Sequence, residues 1–136
     1  MGAGSSVVTN LQTVVVVGAG FAGANLLSRL VSKKWLQRFK RVVVIERRDA
    51  LHHCLASCRA VVQDGWADRQ HLFFSYDSLI ERAAKQAPDV LSFMQGTVTC
   101  VSSGRVDVVT TDGELQHVDF GTCASDRDRG SHWLRS

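Results

Sequence analysis

Two short, unbroken runs of apolar β-branched residues mark strands in the first third of the chain, with a helical pattern between them. The runs are Val14–Val17 and Val42–Ile45, and such runs are typical of parallel strands that are buried on both faces of a sheet. Apolar residues recur with helical spacing from Phe21 to Val31. The pattern therefore predicts a strand–helix–strand unit, whose crossover is expected to be right-handed.

The rest of the chain predicts two more helices and then several short strands. Helices are expected at Leu51–Val62 and Tyr76–Gln86, and a short extended piece at Leu72–Phe74. Alternating apolar residues and glycine-containing turns then predict an antiparallel β-meander. Its strands are expected at Val90–Gln95, Thr97–Val101, Arg105–Thr110 and Leu115–Phe120.

This order of elements predicts an α/β fold, in which an incomplete Rossmann domain with a parallel sheet and helices carries an antiparallel β-meander. The domain is expected to cover residues 14–120. Residues 1–13 are small and polar without periodicity, and we expect a flexible arm there. Residues 121–136 fit neither a strand nor an amphipathic helix, and they form an atypical tail.

A glycine-rich loop lies between the first predicted strand and the first predicted helix. The segment Gly18–Gly23 fits G-x-G-x-x-G, and Glu46 ends the next strand 23 residues after Gly23. In a dinucleotide-binding βαβ unit the first glycine permits a tight turn, the second lets a pyrophosphate approach the backbone, and the third lets helix and strand pack closely. The helix N-terminus would attract the phosphates. The alternative is a glycine-rich turn without a nucleotide.

The acidic residue at the end of the second strand bears on the choice of nucleotide. Glu46 is expected to accept hydrogen bonds from ribose hydroxyls and to repel a 2′-phosphate, which argues against NADP at this position. A surface acid at a strand end is the alternative for this residue. The ADP half of FAD and that of NAD would occupy the same loop, so the residues of the loop leave both cofactors open.

Three segments after Glu46 carry a resemblance to a known family. They are Asp49-Ala50-Leu51-His52-His53, Ala56-Ser57-Cys58-Arg59-Ala60 and Gly65-Trp66-Ala67. In this order and spacing they resemble the ferroptosis suppressor proteins, also called apoptosis-inducing factor homologues. That family is FAD-dependent, is similar to the pyridine nucleotide-disulfide oxidoreductases and is related to the type II NADH dehydrogenases. The resemblance covers roughly residues 14–120.

The resemblance implies that the chain is the FAD-binding portion of an NAD(P)H-dependent flavin oxidoreductase that reduces quinone-type acceptors. Matching the family's pattern implies a set of residues that contact FAD: Gly18, Ala19, Gly20, Phe21, Ala22, Gly23, Glu46, Arg59 and Val98. No residue matches a general acid or base, so the catalytic residues stay unknown. A non-catalytic nucleotide-binding or interaction fragment and the NAD-binding domain of a dehydrogenase are the alternatives.

The family's second FAD-contacting loop and its NAD(P)H domain have no counterpart in these 136 residues. The resemblance therefore implies an N-terminal fragment, and we expect this chain alone to be inactive. We interpret the tail at residues 121–136 as the product of a frame change, from a splice variant or a gene-model error. The transcript sequence tests that interpretation.

Histidines and cysteines suggest other chemistry, which the spacing disfavours. His52 and His53 lack spaced carboxylate or thiolate partners, so we expect no metal site and interpret them as packing near the cofactor or as a polar helix start. Cys54 and Cys58 fall four residues apart on one predicted helix, where side chains are poorly aimed for an unstrained disulfide. They are expected to be thiols, with a catalytic dithiol as the alternative.

Charge, hydropathy and cysteine content indicate which partners and which cellular location to expect. The formal net charge is only +3, and we expect no nucleic-acid partner. No apolar run reaches the roughly 18 residues of a membrane helix. Four cysteines and no signal peptide favour an intracellular, cytoplasmic protein. A basic cluster is interpreted as a solvated helix end and loop, with a binding patch as the alternative: Lys33, Lys34, Arg38, Lys40 and Arg41.

The N-terminus fits the signal for N-myristoylation. Met1-Gly2-Ala3-Gly4-Ser5-Ser6 matches M-G-x-x-x-[ST], in which Gly2 accepts the lipid after Met1 is removed. A merely small, polar arm is the alternative. One myristoyl chain gives only reversible membrane binding, so the basic cluster would add a second signal if it faces the same way.

Overall fold

The computed structural model describes residues 12–64 and 72–121. The predicted α/β fold is confirmed. The strands are β1 Gln12–Val17, β2 Phe39–Glu46, β3 Ala50–His52, β4 Phe73–Ser75, β5 Leu91–Ser102, β6 Arg105–Thr110 and β7 Leu115–Asp119. The helices are α1 Phe21–Ser32, α2 Cys54–Val62 and α3 Asp77–Gln86, and a 3-10 helix spans Trp35–Arg38.

The main sheet has the strand order β1-β2-β5-β6-β7. Strands β1 and β2 pair in parallel across the α1 crossover, and β2 pairs in parallel with the first half of β5. Among the described residues the other edge of β1 has a single bridge, from Thr13 to Gly121. This position explains why Val17 is 54% exposed, although the sequence predicts a strand buried on both faces.

Strand β5 joins the parallel and the antiparallel parts of the main sheet. Its first half continues the parallel sheet, and from Gly96 onward it pairs antiparallel with β6, which pairs with β7. A Cβ at Gly96 would lie 2.7 Å from a methyl carbon of Val108 and 2.8 Å from the carbonyl oxygen of Val109, so only glycine permits this approach. The sequence predicts two strands here, and the structure has one.

Two apolar cores lie on opposite faces of the parallel strands, because successive side chains of β2 point to opposite sides. On one face, Val42 and Val44 pack with the apolar sides of α1 and α3. On the other face, Val43 and Ile45 pack against the meander. All four are at most 1% exposed. The three layers are thus helices, parallel sheet and meander.

Several predicted boundaries are wrong by a few residues, and the clearest are at the first strand and at the second and third helices. The first strand begins at Gln12, so it includes two residues of the predicted arm. The predicted helix Leu51–Val62 begins only at Cys54, because Ala50–His52 pairs instead with Phe73–Ser75 in a separate two-stranded sheet. Tyr76 precedes the third helix as its N-cap residue.

Candidate functional site

The glycine loop joins β1 to α1 by a tight turn. Gly18 has φ of +86°, a backbone conformation that L side chains rarely adopt. Its N–H donates to the carbonyl oxygen of Ile45 at 2.8 Å, which fixes the turn to the end of β2. The loop therefore lies where the carboxyl ends of two parallel strands meet, the position at which open α/β sheets bind ligands.

The two remaining glycines of the motif have different surroundings. A Cβ at Gly23 would lie 3.0 Å from the carbonyl carbon of Gly18 and collide with its oxygen, so helix and loop pack as closely as the motif predicts. A Cβ at Gly20 would meet no atom within 4 Å. Gly20 also has a φ of −64°, which any residue adopts. Packing thus explains glycine at position 23, but none of the described residues requires glycine at position 20.

Helix α1 begins directly after Gly20. Ala24 N–H donates to the Gly20 carbonyl oxygen at 2.8 Å and makes the first helical bond. The preceding N–H groups of the first turn have no acceptor within the helix. No side chain caps this end, and its first turn contains no acidic residue. The positive end of the helix dipole is therefore not offset by a first-turn carboxylate.

Glu46 ends β2 directly beside the loop. One carboxylate oxygen accepts a hydrogen bond from Ala19 N–H at 2.6 Å, and the other accepts one from Arg48 N–H at 3.2 Å. Each carboxylate oxygen can accept more than one hydrogen bond. Glu46 can thus hold the loop and still accept a ligand hydroxyl.

Tyr76, which is distant in sequence from the glycine loop, supports the loop through a hydrogen bond to its backbone. The Tyr76 hydroxyl donates to the carbonyl oxygen of Ala19 at 2.7 Å, across a separation of 57 residues. Tyr76 is buried and its ring packs on Phe93 with centroids 5.2 Å apart. Burial, followed by the nearby Glu46 carboxylate, raises the pKa of Tyr76 to about 12, and Arg48 acts in the opposite direction. The hydroxyl is therefore neutral and a hydrogen-bond donor at physiological pH.

These groups line a cavity of about 190 Å³ at the carboxyl end of the strands. Its lining comprises Gly20, Phe21, Glu46, Arg47, Arg48, Ala50, Leu51, His52 and Tyr76. Pockets that enclose a drug-sized ligand measure about 300–1,000 Å³. The cavity in the described residues is therefore of a size for part of a dinucleotide.

The tandem histidines stand beside this cavity among aromatic rings. His52 stacks on Phe73 with centroids 5.0 Å apart, and its Nε2 lies 3.2 Å from the Ser57 hydroxyl. The His53 ring lies 5.4 Å from the Phe21 ring and also contacts Phe74. The cluster attaches the β3–β4 sheet to the start of α1. That these histidines pack near a cofactor stays a prediction.

The predicted cofactor residues do not all lie together. Gly20, Phe21 and Glu46 line the cavity, whereas the other four residues of the loop do not. Arg59 is exposed on α2 and Val98 packs partly buried against the second core, both outside the lining. Their contact with FAD stays a prediction. Sequence reasoning missed Tyr76, Arg47 and Arg48 as site residues, because no local pattern indicates that they line the cavity.

The structure also describes the cysteines and the possible metal ligands. Cys54, Cys58 and Cys100 are exposed free thiols. Among residues 12–64 and 72–121 no three His, Cys, Asp or Glu side chains are grouped to hold a metal ion. Gly2 and residues 122–136 lie outside the described residues. No helix in the described part of the chain is long and apolar enough to span a membrane.

Comparison with known proteins identifies a homologue. No protein-family model matches the chain. Ferroptosis suppressor protein 1 of Taeniopygia guttata is 37% identical over 115 residues, which are 85% of this chain. The chain spans 26% of the length of that relative. The resemblance to the ferroptosis suppressor family is thereby confirmed.

Two solved structures also match over most of the chain. They are the Diels-Alderase PyrE3 of the biosynthetic pathway of pyrroindomycins, with a TM-score of 0.38 and 18% identity, and native FqzB, with 0.36 and 19%. The matches cover 77% and 79% of this chain, and 30% and 34% of those proteins. TM-scores of this size support no argument about fold or function.

Proposed function

We propose that this homologue of ferroptosis suppressor protein 1 is the FAD-binding portion of an NAD(P)H-dependent flavin oxidoreductase of the quinone-reductase type. One observation supports the proposal above all others. The motif has three glycines, and within the described residues the backbone or the packing requires glycine at Gly18 and Gly23 but not at Gly20. The open space over Gly20 is where a pyrophosphate would approach the backbone.

The chemistry of the surrounding groups fits an anionic dinucleotide. The N–H groups in the first turn of α1 would donate to phosphate oxygens, and the helix dipole, which no first-turn carboxylate offsets, would favour their charge. The free acceptor capacity of Glu46 would serve the adenosine ribose. Arg47 and Arg48, which line the same cavity, add positive charge at its rim.

Two further roles follow from the family pattern and belong to the same proposal. Arg59 would contact FAD, because a guanidinium suits phosphate and polar cofactor oxygens. Val98 would meet the adenine through its backbone. When bound, FAD would supply the redox chemistry between NAD(P)H and a quinone-type acceptor, while these side chains bind and orient it.

A titration of the purified chain with FAD tests the proposal. We expect flavin fluorescence to be quenched on binding, ADP-ribose to compete, and 2′-phospho-ADP-ribose to compete more weakly because Glu46 repels its extra phosphate. Glu46→Gln should narrow that difference. Binding of NAD in preference to FAD would instead indicate a dehydrogenase domain. A chain that folds and binds neither nucleotide would refute the proposal.

We also infer that Gly2 is myristoylated and that the protein is cytoplasmic with reversible membrane association. The support is the N-terminal sequence alone, Met1-Gly2-Ala3-Gly4-Ser5-Ser6. Expression with an alkyne-labelled myristate in animal cells should label the chain, and Gly2→Ala should abolish the label. Equal labelling of both forms would contradict the inference.

A further inference from the structure

We infer that the end of the sheet opposite the glycine loop carries a docking surface for anionic lipid, formed by the segment Lys33–Arg41. This basic-aromatic surface comprises Lys33, Lys34, Trp35, Arg38, Lys40 and Arg41, all of them exposed. The inference concerns a different face from the proposed cofactor site, and its test needs no flavin.

Much of the positive charge of the protein lies in the segment Lys33–Arg41. Five of its 16 Lys and Arg residues lie in this segment, which contains no Asp or Glu. The segment therefore accounts for more than the formal excess of +3. Lys33 and Lys34 lie at the C-terminal end of α1, where cations stabilise a helix. That effect gives no reason for Arg38, Lys40 and Arg41.

An exposed tryptophan lies in the middle of these charges. Trp35 begins the 3-10 helix and is 46% exposed, and the Arg38 guanidinium lies 5.8 Å from its ring centroid. Tryptophan is enriched at membrane–water interfaces, because it combines an apolar ring with a polar N–H. Phosphate recognition alone requires no such ring.

The segment is held firmly on the body of the protein. Leu36 is fully buried in the core between α1 and α3. The Gln37 side-chain amide donates to the carbonyl oxygen of Gln86 at 3.3 Å. Lys34 adopts a left-handed conformation with φ of 56°, which turns the chain between α1 and the 3-10 helix. The charges and the ring are therefore presented from a preformed turn.

The N-terminal residues join the protein at this same end. In the β1–β2 pair, Gln12 is the partner of Phe39 and Thr13 that of Arg41. The chain that precedes Gln12 thus enters the sheet beside the basic-aromatic surface. Because the lipidation proposed at Gly2 belongs to the chain that leads into Gln12, this position of Gln12 favours a lipid surface over a nucleic acid or an acidic protein as the partner.

Vesicle sedimentation of the full chain, made in bacteria with Gly2→Ala to exclude lipidation, tests the inference. We expect binding to vesicles rich in phosphatidylserine, weaker binding at high salt, and none to pure phosphatidylcholine. Each Lys or Arg near an anionic surface strengthens partitioning by about fivefold. Lys33→Gln with Lys34→Asn should therefore weaken it about 25-fold, and asparagine tolerates the left-handed conformation at position 34.

The matched control removes two charges beyond the other end of β2. Arg47→Gln with Arg48→Gln changes the net charge equally. Its two charges lie about 26 Å from the basic-aromatic surface, which is the length of the eight-residue strand β2. This distance exceeds the screening length of about 8–10 Å at physiological salt. We expect this control to bind within about twofold of the parent, by that same screening argument. Brominated lipids should quench the tryptophan fluorescence of the parent more than that of Trp35→Phe.

Four results would overturn the inference. Equal losses for the two double variants would indicate attraction by net charge without a localised surface. Binding to neutral vesicles, or quenching that is unchanged in Trp35→Phe, would remove the roles of charge or ring. Tight binding of an RNA oligonucleotide without vesicle binding would assign the surface to nucleic acid.

Discussion

Alanine substitutions at Gly20 and Gly23 should affect different properties: Gly23→Ala should lower stability, and Gly20→Ala should weaken ligand binding. At Gly23 the new methyl group would collide with the carbonyl of Gly18, so helix and loop must separate. Overpacking of this kind costs about 1–3 kcal/mol, and about 4 °C of Tm is lost per kcal/mol in a domain of this size. Gly23→Ala should therefore lower Tm by about 4–12 °C.

At Gly20 the same methyl group would point into open space, from a backbone conformation that alanine adopts without strain. The Tm should stay unchanged, or rise because alanine restricts the unfolded chain by about 0.4–1 kcal/mol. FAD binding should weaken, because the methyl group would occupy the approach of the pyrophosphate. A penalty of about 1–3 kcal/mol for a forced contact corresponds to about 5- to 150-fold in Kd.

Differential scanning fluorimetry and an FAD titration measure the two effects on the same samples. If Gly20→Ala keeps both the parent Tm and the parent Kd, no ligand approaches the backbone at Gly20 and the proposed role of this residue is refuted. If Gly23→Ala melts within about 1 °C of the parent, well below the expected loss, the close packing of helix and loop at Gly23 is refuted. Circular dichroism of each variant confirms that the comparison concerns folded protein.

Three further predictions concern the hydrogen bond from Tyr76 that supports the loop, the pH dependence of that support, and the core between sheet and meander. Tyr76→Phe removes the 2.7 Å bond to the Ala19 carbonyl and should cost about 1–3 kcal/mol in urea unfolding, with a weaker Kd for FAD; an unchanged midpoint would contradict the supporting role. The pKa of Tyr76, raised to about 12 by burial and then by Glu46, lies above the unfolded value of 10.0, so its stabilisation is complete below pH 10 and is lost as pH rises towards 12. Parent and Tyr76→Phe should therefore differ in stability at pH 9 and converge at higher pH, and a constant difference in unfolding free energy would exclude this titration. Ile45→Ala leaves a cavity between sheet and meander, where Ile45 is 1% exposed, and should lower the free energy of unfolding by about 2–5 kcal/mol. Leu115 is 58% exposed, so Leu115→Ala should change the urea midpoint little.

The sequence by itself determined the strand–loop–helix–strand unit, because each part of it is encoded locally. Unbroken valine runs, helical spacing after Phe21 and glycine at position 18 each restrict the backbone within a few residues. The placing of Glu46 beside the loop also follows, since two parallel strands joined by a crossover end at the same edge. The meander follows from its alternation and its glycine turns.

Tertiary structure decided which residues complete the site and where the strands lie. Tyr76 contacts Ala19 across 57 residues, and no local pattern predicts such a contact because it depends on the packing of α3 against the sheet. The first strand is as apolar as the second, yet only the second is buried on both faces, because strand order places the first at an edge. Glycine patterns likewise predict where ligands approach, but only the packed surroundings distinguish Gly20, open to a partner, from Gly23, closed by the chain itself.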